Sequence, residues 1–151
     1  MRVYSNGKLL ISGEYAILDG ALSLATPSLF GQYLEILEDS SKYIKWTSKN
    51  SNGKVWFQCR IYRENLELDK SSSSKFSNTL IEIIKSIRVL NPNFLTNSGA
   101  NITTKLTFDK DWGLGSSSTL ISNLSKIAEI DPFKLNNKIF NGSGYDIACA
   151  G

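Results

Sequence analysis

The chain is 151 residues long, 41% hydrophobic and 21% charged, with a formal net charge of +3. That length suits one compact domain with its own core; no apolar run is long enough to cross a membrane, and a slight positive excess scattered along the chain argues against nucleic acid as the main partner. Histidine is absent, which excludes Ser-His-Asp and Cys-His catalysis and His-ligated zinc, and leaves Lys, carboxylates, hydroxyls, Tyr, backbone dipoles or an oxygen-held metal ion.

Residues 1–8 lack the charged head, apolar stretch and cleavage site of a signal peptide. Two distant cysteines, Cys59 and Cys149, give no disulfide framework, so a reducing cytoplasm is the expected compartment. Residues 7–20 form two short apolar runs broken at Gly13 and closed by Asp19-Gly20, a hairpin signal. Residues 21–29 and 32–37 continue in extended style. Further strands are predicted over 43–47 and 54–63, with Val55, Phe57, Cys59 and Ile61 alternating along one face, and 65–68 is a shorter extended candidate. Polar turns fall at 39–41 and 48–53. The serine run 71–74 leads into a helix whose apolar stripe is Phe76, Leu80, Ile83, Ile84 and Ile87, ended by Asn91-Pro92-Asn93.

The most informative stretch follows. Ile102, Thr104, Leu106 and Phe108 alternate as a strand, while Leu120, Ile121, Leu124, Ile127 and Ala128 recur at helical spacing. Between them lies Asp111-Trp112-Gly113-Leu114-Gly115-Ser116-Ser117-Ser118-Thr119. Gly113 and Gly115 allow a sharp turn and close approach of a ligand. The unpaired amides of the first helical turn and the positive end of the helix dipole suit an anion. The hydroxyls from Ser116 to Thr119 can cap those amides, contact phosphate or reach a magnesium ion; read alone, Ser116 or Ser117 serves equally well as a plain N-cap. A Walker loop is excluded because no Lys follows the glycines, and a Rossmann fingerprint lacks its third glycine at Ser118. Asp131-Pro132 has the form of an N-cap and first helical residue, opening a short helix to about Phe140. The order of strands, helix, strand and helices predicts an α+β domain with helices packed on a mainly antiparallel sheet. Residues 147–151 are small and apolar where a terminus is usually polar and exposed, so a truncated chain is expected.

Three segments in this order resemble the GHMP kinase superfamily. Gly7-Lys8-Leu9-Leu10-Ile11-Ser12-Gly13-Glu14-Tyr15-Ala16-Ile17-Leu18 is similar to its first motif, Gly113-Leu114-Gly115-Ser116-Ser117-Ser118 to its phosphate loop, and Gly142-Ser143-Gly144-Tyr145-Asp146-Ile147-Ala148 to the segment that brings its aspartate. The resemblance implies the family's N-terminal α+β domain, with the second domain and its third glycine-rich motif absent from 1–151. It also implies ATP-dependent phosphoryl transfer to a small-molecule acceptor, with Mg2+ and no need of histidine. By the same likeness Lys8 stabilises charge at the acceptor and the transferring group, and Asp146 orients or deprotonates the acceptor. Gly113, Leu114, Gly115, Ser116, Ser117 and Ser118 hold the ATP phosphates, and Ser117 reaches the magnesium ion. Residues 13–18 and 146–149 are most similar to the branches acting on phosphomevalonate and mevalonate, in isoprenoid precursor synthesis. The sequence departs from the family where Asp111-Trp112 replaces the usual Pro-x-Gly and where Tyr15 replaces the His of mevalonate kinases. No Glu is assigned as a magnesium ligand, since only Glu129 and Asp131 lie between the loop and Asp146. Taken one at a time, Lys8 reads as a solvated strand lysine and Asp146 as a turn residue. Two other readings stand beside the kinase: a non-catalytic anion-binding or interaction domain, and a dinucleotide-binding oxidoreductase.

Overall fold

Alternation at a spacing of two builds a single sheet in the computed structural model, which describes residues 1–12, 24–141 and 144–151. Its strands are β1 (Arg2–Ser12), β2 (Leu24–Asp39), β3 (Tyr43–Lys49), β4 (Val55–Tyr62), β5 (Leu68–Ser71) and β6 (Gly99–Leu106). They lie in the order β1-β2-β6-β3-β4-β5. Every neighbouring pair is antiparallel except β3 with β6, which run parallel. The predicted α+β class and mainly antiparallel sheet are therefore observed, with one parallel junction at the centre.

One face of that sheet is apolar because alternation recurs in β2, β3, β4 and β6: Leu34 and Ile36, Ile44 and Trp46, Phe57, Cys59 and Ile61, Ala100 and Ile102 are all buried. The helices α1 (Ser74–Leu90), α2 (Ser116–Ala128), α3 (Pro132–Ile139) and α4 (Tyr145–Ala150) complete the core. They do so with Leu80, Ile83, Ile84 and Ile87 from α1, Ile121, Leu124 and Ala128 from α2, Leu135 from α3 and Ile147 from α4. Each such Leu or Ile side chain contributes about 1.5–3 kcal/mol by leaving water. Two caps fix where helices begin and end. Asp131 accepts from the amides of Phe133 at 2.8 Å and Lys134 at 3.4 Å, with Pro132 at the first position, as expected. Asn91, which closes α1, donates from Nδ2 to the Ala128 carbonyl at 2.9 Å and so ties the ends of α1 and α2 together.

Several boundaries differ from the sequence expectation. The two extended pieces 21–29 and 32–37 are, over the described residues, one 16-residue strand, β2. The short candidate 65–68 is displaced, because Leu66 turns with φ 58° and pairing resumes only at Leu68. Val55 does not share the buried face of β4; the register shifts between Ser48 and Lys49 opposite it, and it is exposed. Phe108 lies beyond the end of β6, buried with Leu106 and Leu114 rather than on the main core. The break at Gly13, the Asp19-Gly20 turn and the motif residues Glu14, Tyr15, Gly142 and Ser143 lie outside the described residues. No helix among the described residues is long and apolar enough to cross a membrane.

Candidate active site

β6 delivers the chain to the glycine-serine stretch 113–118 through a short 3-10 turn, Lys110–Trp112, which is capped where Asp109 Oδ1 accepts from Asp111 N at 3.1 Å. Trp112 packs edge-on against Phe30 of β2, with ring centroids 5.5 Å apart. Gly113 and Gly115 then adopt φ of 70° and 76°. A side chain at Gly115 would also meet Ser118 Oγ at 2.7 Å and Lys8 Cγ at 3.1 Å, so both the backbone angle and the space require glycine there. Between them Leu114 is buried against Leu106 and Phe108, which anchors the turn from below.

The helix begins at once. Gly115, not a serine, is the N-cap of α2, and no side chain caps it. The plain N-cap reading of Ser116 or Ser117 is thus replaced by a bare helix start. The first helical bond is Thr119 N to Gly115 O at 3.1 Å, so the amides of Ser116, Ser117 and Ser118 precede the ladder and have no helical acceptor. The hydroxyls divide into two sets. Ser118 Oγ donates to Gly115 O and Thr119 Oγ1 to Ser116 O, each at 2.8 Å, and both residues are buried. Ser116 and Ser117 instead line an open cleft of about 430 Å³. Amides without a helical acceptor, two hydroxyls with no partner among the described residues and the positive end of a 13-residue helix are chemically suited to hold an anion.

Lys8 arrives from the edge strand. The pairing of β1 with β2 loses register between Asn6 and Lys8. At that break Lys8 N donates to Leu114 O at 2.9 Å, joining β1 directly to the loop. The approach is possible because Gly7 has no side chain: a Cβ there would lie 2.8 Å from Leu114 O and 3.0 Å from Phe30 O. The Lys8 side chain crosses Gly115 and ends between two groups of α4. Its ammonium forms a 2.7 Å ion pair with Asp146 Oδ1 and donates to Tyr145 Oη at 2.7 Å. It also lies 4.6 Å from the centre of the Tyr145 ring. Burial acts to lower the Lys8 pKa, but the hydrogen bonds and charge of Asp146 and then Tyr145 outweigh it, and the net shift is upward. The lysine is therefore a permanent cation at neutral pH. Asp146 Oδ1 is enclosed and, among the described residues, receives no hydrogen bond beyond this ion pair.

The structure thus brings Lys8, Asp146, Gly115 and the start of α2 into one neighbourhood. Glu129 and Asp131 stand at the far end: Glu129 caps the C-terminus of α2, about 20 Å along the helix at 1.5 Å per residue, and Asp131 is engaged as the α3 cap. Three features escaped the sequence reading. Tyr145 touches the lysine as closely as Asp146 does, and only its position beside Asp146 hinted at it. Gly7 matters through a backbone contact that no pattern reveals. The cleft beyond Ser116 and Ser117 has an aromatic wall of Trp46, Trp56, Phe57 and Phe76, in which Trp56 meets Phe76 edge-on at 5.2 Å. Phe76 was expected in the α1 core stripe; it sits in the first turn of α1, half exposed, and packs against Trp56 and Phe57 in this wall.

No protein-family model matches the chain, and no curated protein matches it by sequence. Solved structures do match its fold. The Methanococcus jannaschii mevalonate kinase superposes with a TM-score of 0.69 at 14% identity, over 98% of this chain and 51% of that one. A Streptococcus pneumoniae phosphomevalonate kinase in complex with phosphomevalonate and AMPPNP gives 0.68 at 20% identity, over 99% and 46%. The Lactococcus lactis galactokinase complexed with galactose gives 0.67 at 15% identity, over 97% and 38%. The chain therefore spans about half the length of the first of these kinases. A mixed, mainly antiparallel sheet of this kind is not the parallel sheet of the dinucleotide-binding fold, which removes the structural basis for the oxidoreductase reading. The chain shares its fold with these small-molecule kinases, over about half of their length or less.

Proposed function

We propose that the chain forms the nucleotide-binding lobe of an ATP-dependent small-molecule kinase, with mevalonate or phosphomevalonate as acceptor. The observation that carries this reading is the meeting of Lys8 and Asp146 at 2.7 Å beside the uncapped start of α2. Phosphoryl transfer is largely positioning and neutralisation of charge on oxygen, and each element here supplies one of those needs. The amides and hydroxyls of Ser116 and Ser117 receive the β- and γ-phosphate oxygens. The aromatic cleft accepts the base. Lys8 lowers the charge on the transferring group, and Asp146 orients the acceptor oxygen, taking its proton where that oxygen is the hydroxyl of mevalonate, as the new O–P bond forms and the bond to the departing ADP breaks.

Magnesium fits this donor set through phosphate and water. Ser117 offers a free hydroxyl at the second position of α2, whereas among the described residues no group of three or more carboxylates, cysteines or histidines gathers to hold an ion by itself. Mg2+ commonly binds in this way, keeping several waters and sharing phosphate oxygens; when bound it would neutralise phosphate charge. The expected partner is a small molecule, and the expected compartment the cytoplasm.

The choice of acceptor rests on the resemblance of residues 13–18 and 146–149 to the mevalonate and phosphomevalonate branches. In the matched kinases the fold belongs to chains about twice as long or longer, so a second lobe is part of the proposal. The test is isotope transfer from labelled ATP to mevalonate, phosphomevalonate, homoserine and galactose by the protein in its complete form, with Lys8→Ala and Asp146→Ala as controls. Transfer to one acceptor that both substitutions abolish supports the reading. Undiminished transfer in both variants removes Lys8 and Asp146 from the mechanism, and absence of transfer to any acceptor favours the non-catalytic anion-binding domain.

A further inference from the structure

Lys8 has three N–H donors, and the structure accounts for two of them. Asp146 Oδ1 and Tyr145 Oη each stand 2.7 Å from Nζ. A lysine tied to a carboxylate alone can swing about that single contact, because its four-carbon stem is flexible and an ammonium has no directional plane. A second fixed acceptor removes the swing. The stem is also confined, since it crosses Gly115 so closely that a Cβ there would lie 3.1 Å from Lys8 Cγ. Tyr145 is itself held: it opens α4 immediately after Gly144, which turns with φ 81°. Once the phenol oxygen accepts from Lys8, its own proton has no acceptor among the described residues.

We propose that Tyr145 is a positioning residue of the kinase site, whose hydroxyl divides the Lys8 ammonium between two acceptors so that its third N–H is the one presented to the transferring phosphoryl group. The proposal rests on the kinase reading for the identity of that group, but the clamp itself is a property of this chain. It makes a distinction that a packing role does not. If the ring alone mattered, phenylalanine would serve as well as tyrosine. If the hydroxyl holds the lysine, phenylalanine loses one charge-assisted hydrogen bond while keeping the ring.

The experiment has two arms. In the first, trace acetylation of Lys8 by acetic anhydride is followed across pH by mass spectrometry in the 151-residue chain, as wild type, Tyr145→Phe, Tyr145→Gln and Asp146→Asn. Loss of a hydrogen bond to a charged group predicts that Tyr145→Phe raises Lys8 labelling below its midpoint by about tenfold, with a smaller rise for Tyr145→Gln, which restores an acceptor. Tyr145 is only half buried, so both variants fold; far-UV circular dichroism checks this. In the second arm, phosphoryl transfer by the complete protein is measured, where Tyr145→Phe lowers kcat about tenfold with KM for ATP little changed. A labelling curve for Tyr145→Phe that overlays wild type overturns the clamp whatever the activity. Shifted labelling in a protein that transfers no phosphoryl group upholds the clamp and defeats the kinase assignment, and shifted labelling with unchanged kcat overturns the positioning role.

Discussion

Replacing Gly7 by alanine tests whether β1 and the glycine turn before α2 are built as one unit. The added methyl carbon would sit 2.8 Å from Leu114 O and 3.0 Å from Phe30 O, whereas ordinary contact starts at 3.4 Å. Both obstacles are backbone atoms of neighbouring segments, so neither can rotate away. Relief requires β1 and the loop to separate by roughly half an ångström, which stretches the 2.9 Å bond from Lys8 N to Leu114 O. Overpacking of this kind costs about 1–3 kcal/mol, and for a domain of this size lowers the melting midpoint by roughly 3–9 °C. Because Leu114 adjoins Gly115 and the amides that follow it, the same shift also displaces the start of α2 relative to Lys8. Misplacement on that scale predicts about a tenfold loss of nucleotide affinity. Thermal melting followed by circular dichroism, hydrogen exchange at the Lys8 amide and titration with an ATP analogue read the three effects separately. A Gly7→Ala protein with an unchanged midpoint and an equally protected Lys8 amide would refute the claim that close backbone approach sets the geometry of the site.

Other predictions follow from the same contacts. Lys8→Ala and Asp146→Ala should each reduce phosphoryl transfer by at least about a hundredfold while leaving far-UV circular dichroism unchanged; a loss below threefold in either argues against its role. The raised pKa of Lys8 means that its pair with Asp146 contributes stability fully below the ordinary value of 10.5 and loses it as pH rises through the higher folded value. The midpoint difference between wild type and Lys8→Met should therefore be flat from pH 7 to about 10 and shrink above it, and a difference that shrinks below pH 9 contradicts the shift. Burial pushes the Cys59 thiol up to about 12, so iodoacetamide at pH 8 should modify it only as fast as the protein unfolds; labelling at the rate of a free thiol would show the core around β4 to be open. Asp131→Ala removes the acceptor of two amides at the start of α3 and should destabilise the protein by about 1 kcal/mol in a urea titration.

The parts of this structure that were legible in the sequence are those governed by local spacing. Alternation in β3, β4 and β6, the stripe of α1, the Asp131-Pro132 helix start and the two left-handed glycines of the loop all follow from short-range rules. What local spacing does not encode is which strands become neighbours and which side a residue faces after an irregularity. An even residue of β1 such as Lys8 would point away from the helices, as Tyr4 does, if pairing ran on without a break; the register change after Asn6 is what lets it reach α4. Val55 left the core for the same reason, and Phe76, in the first turn of α1, packs on Trp56 in the cleft wall instead. The serines of the loop were read as a set, but only packing could sort them into buried Ser118 and accessible Ser116 and Ser117.

The position of β6 has a consequence for how the chain assembles. Strands β1 and β2 form one ribbon and β3 to β5 another, and β6 lies between β2 and β3, bonded to both. Until residues up to 106 are present, the two ribbons have no shared edge, so the central seam closes late and over long sequence separations, for which slow folding in the millisecond-to-second range is the rule. Once it closes, the strand that locks the two ribbons together is the one that runs on into the glycine turn. Insertion of this strand therefore also sets the glycine turn from which α2 starts.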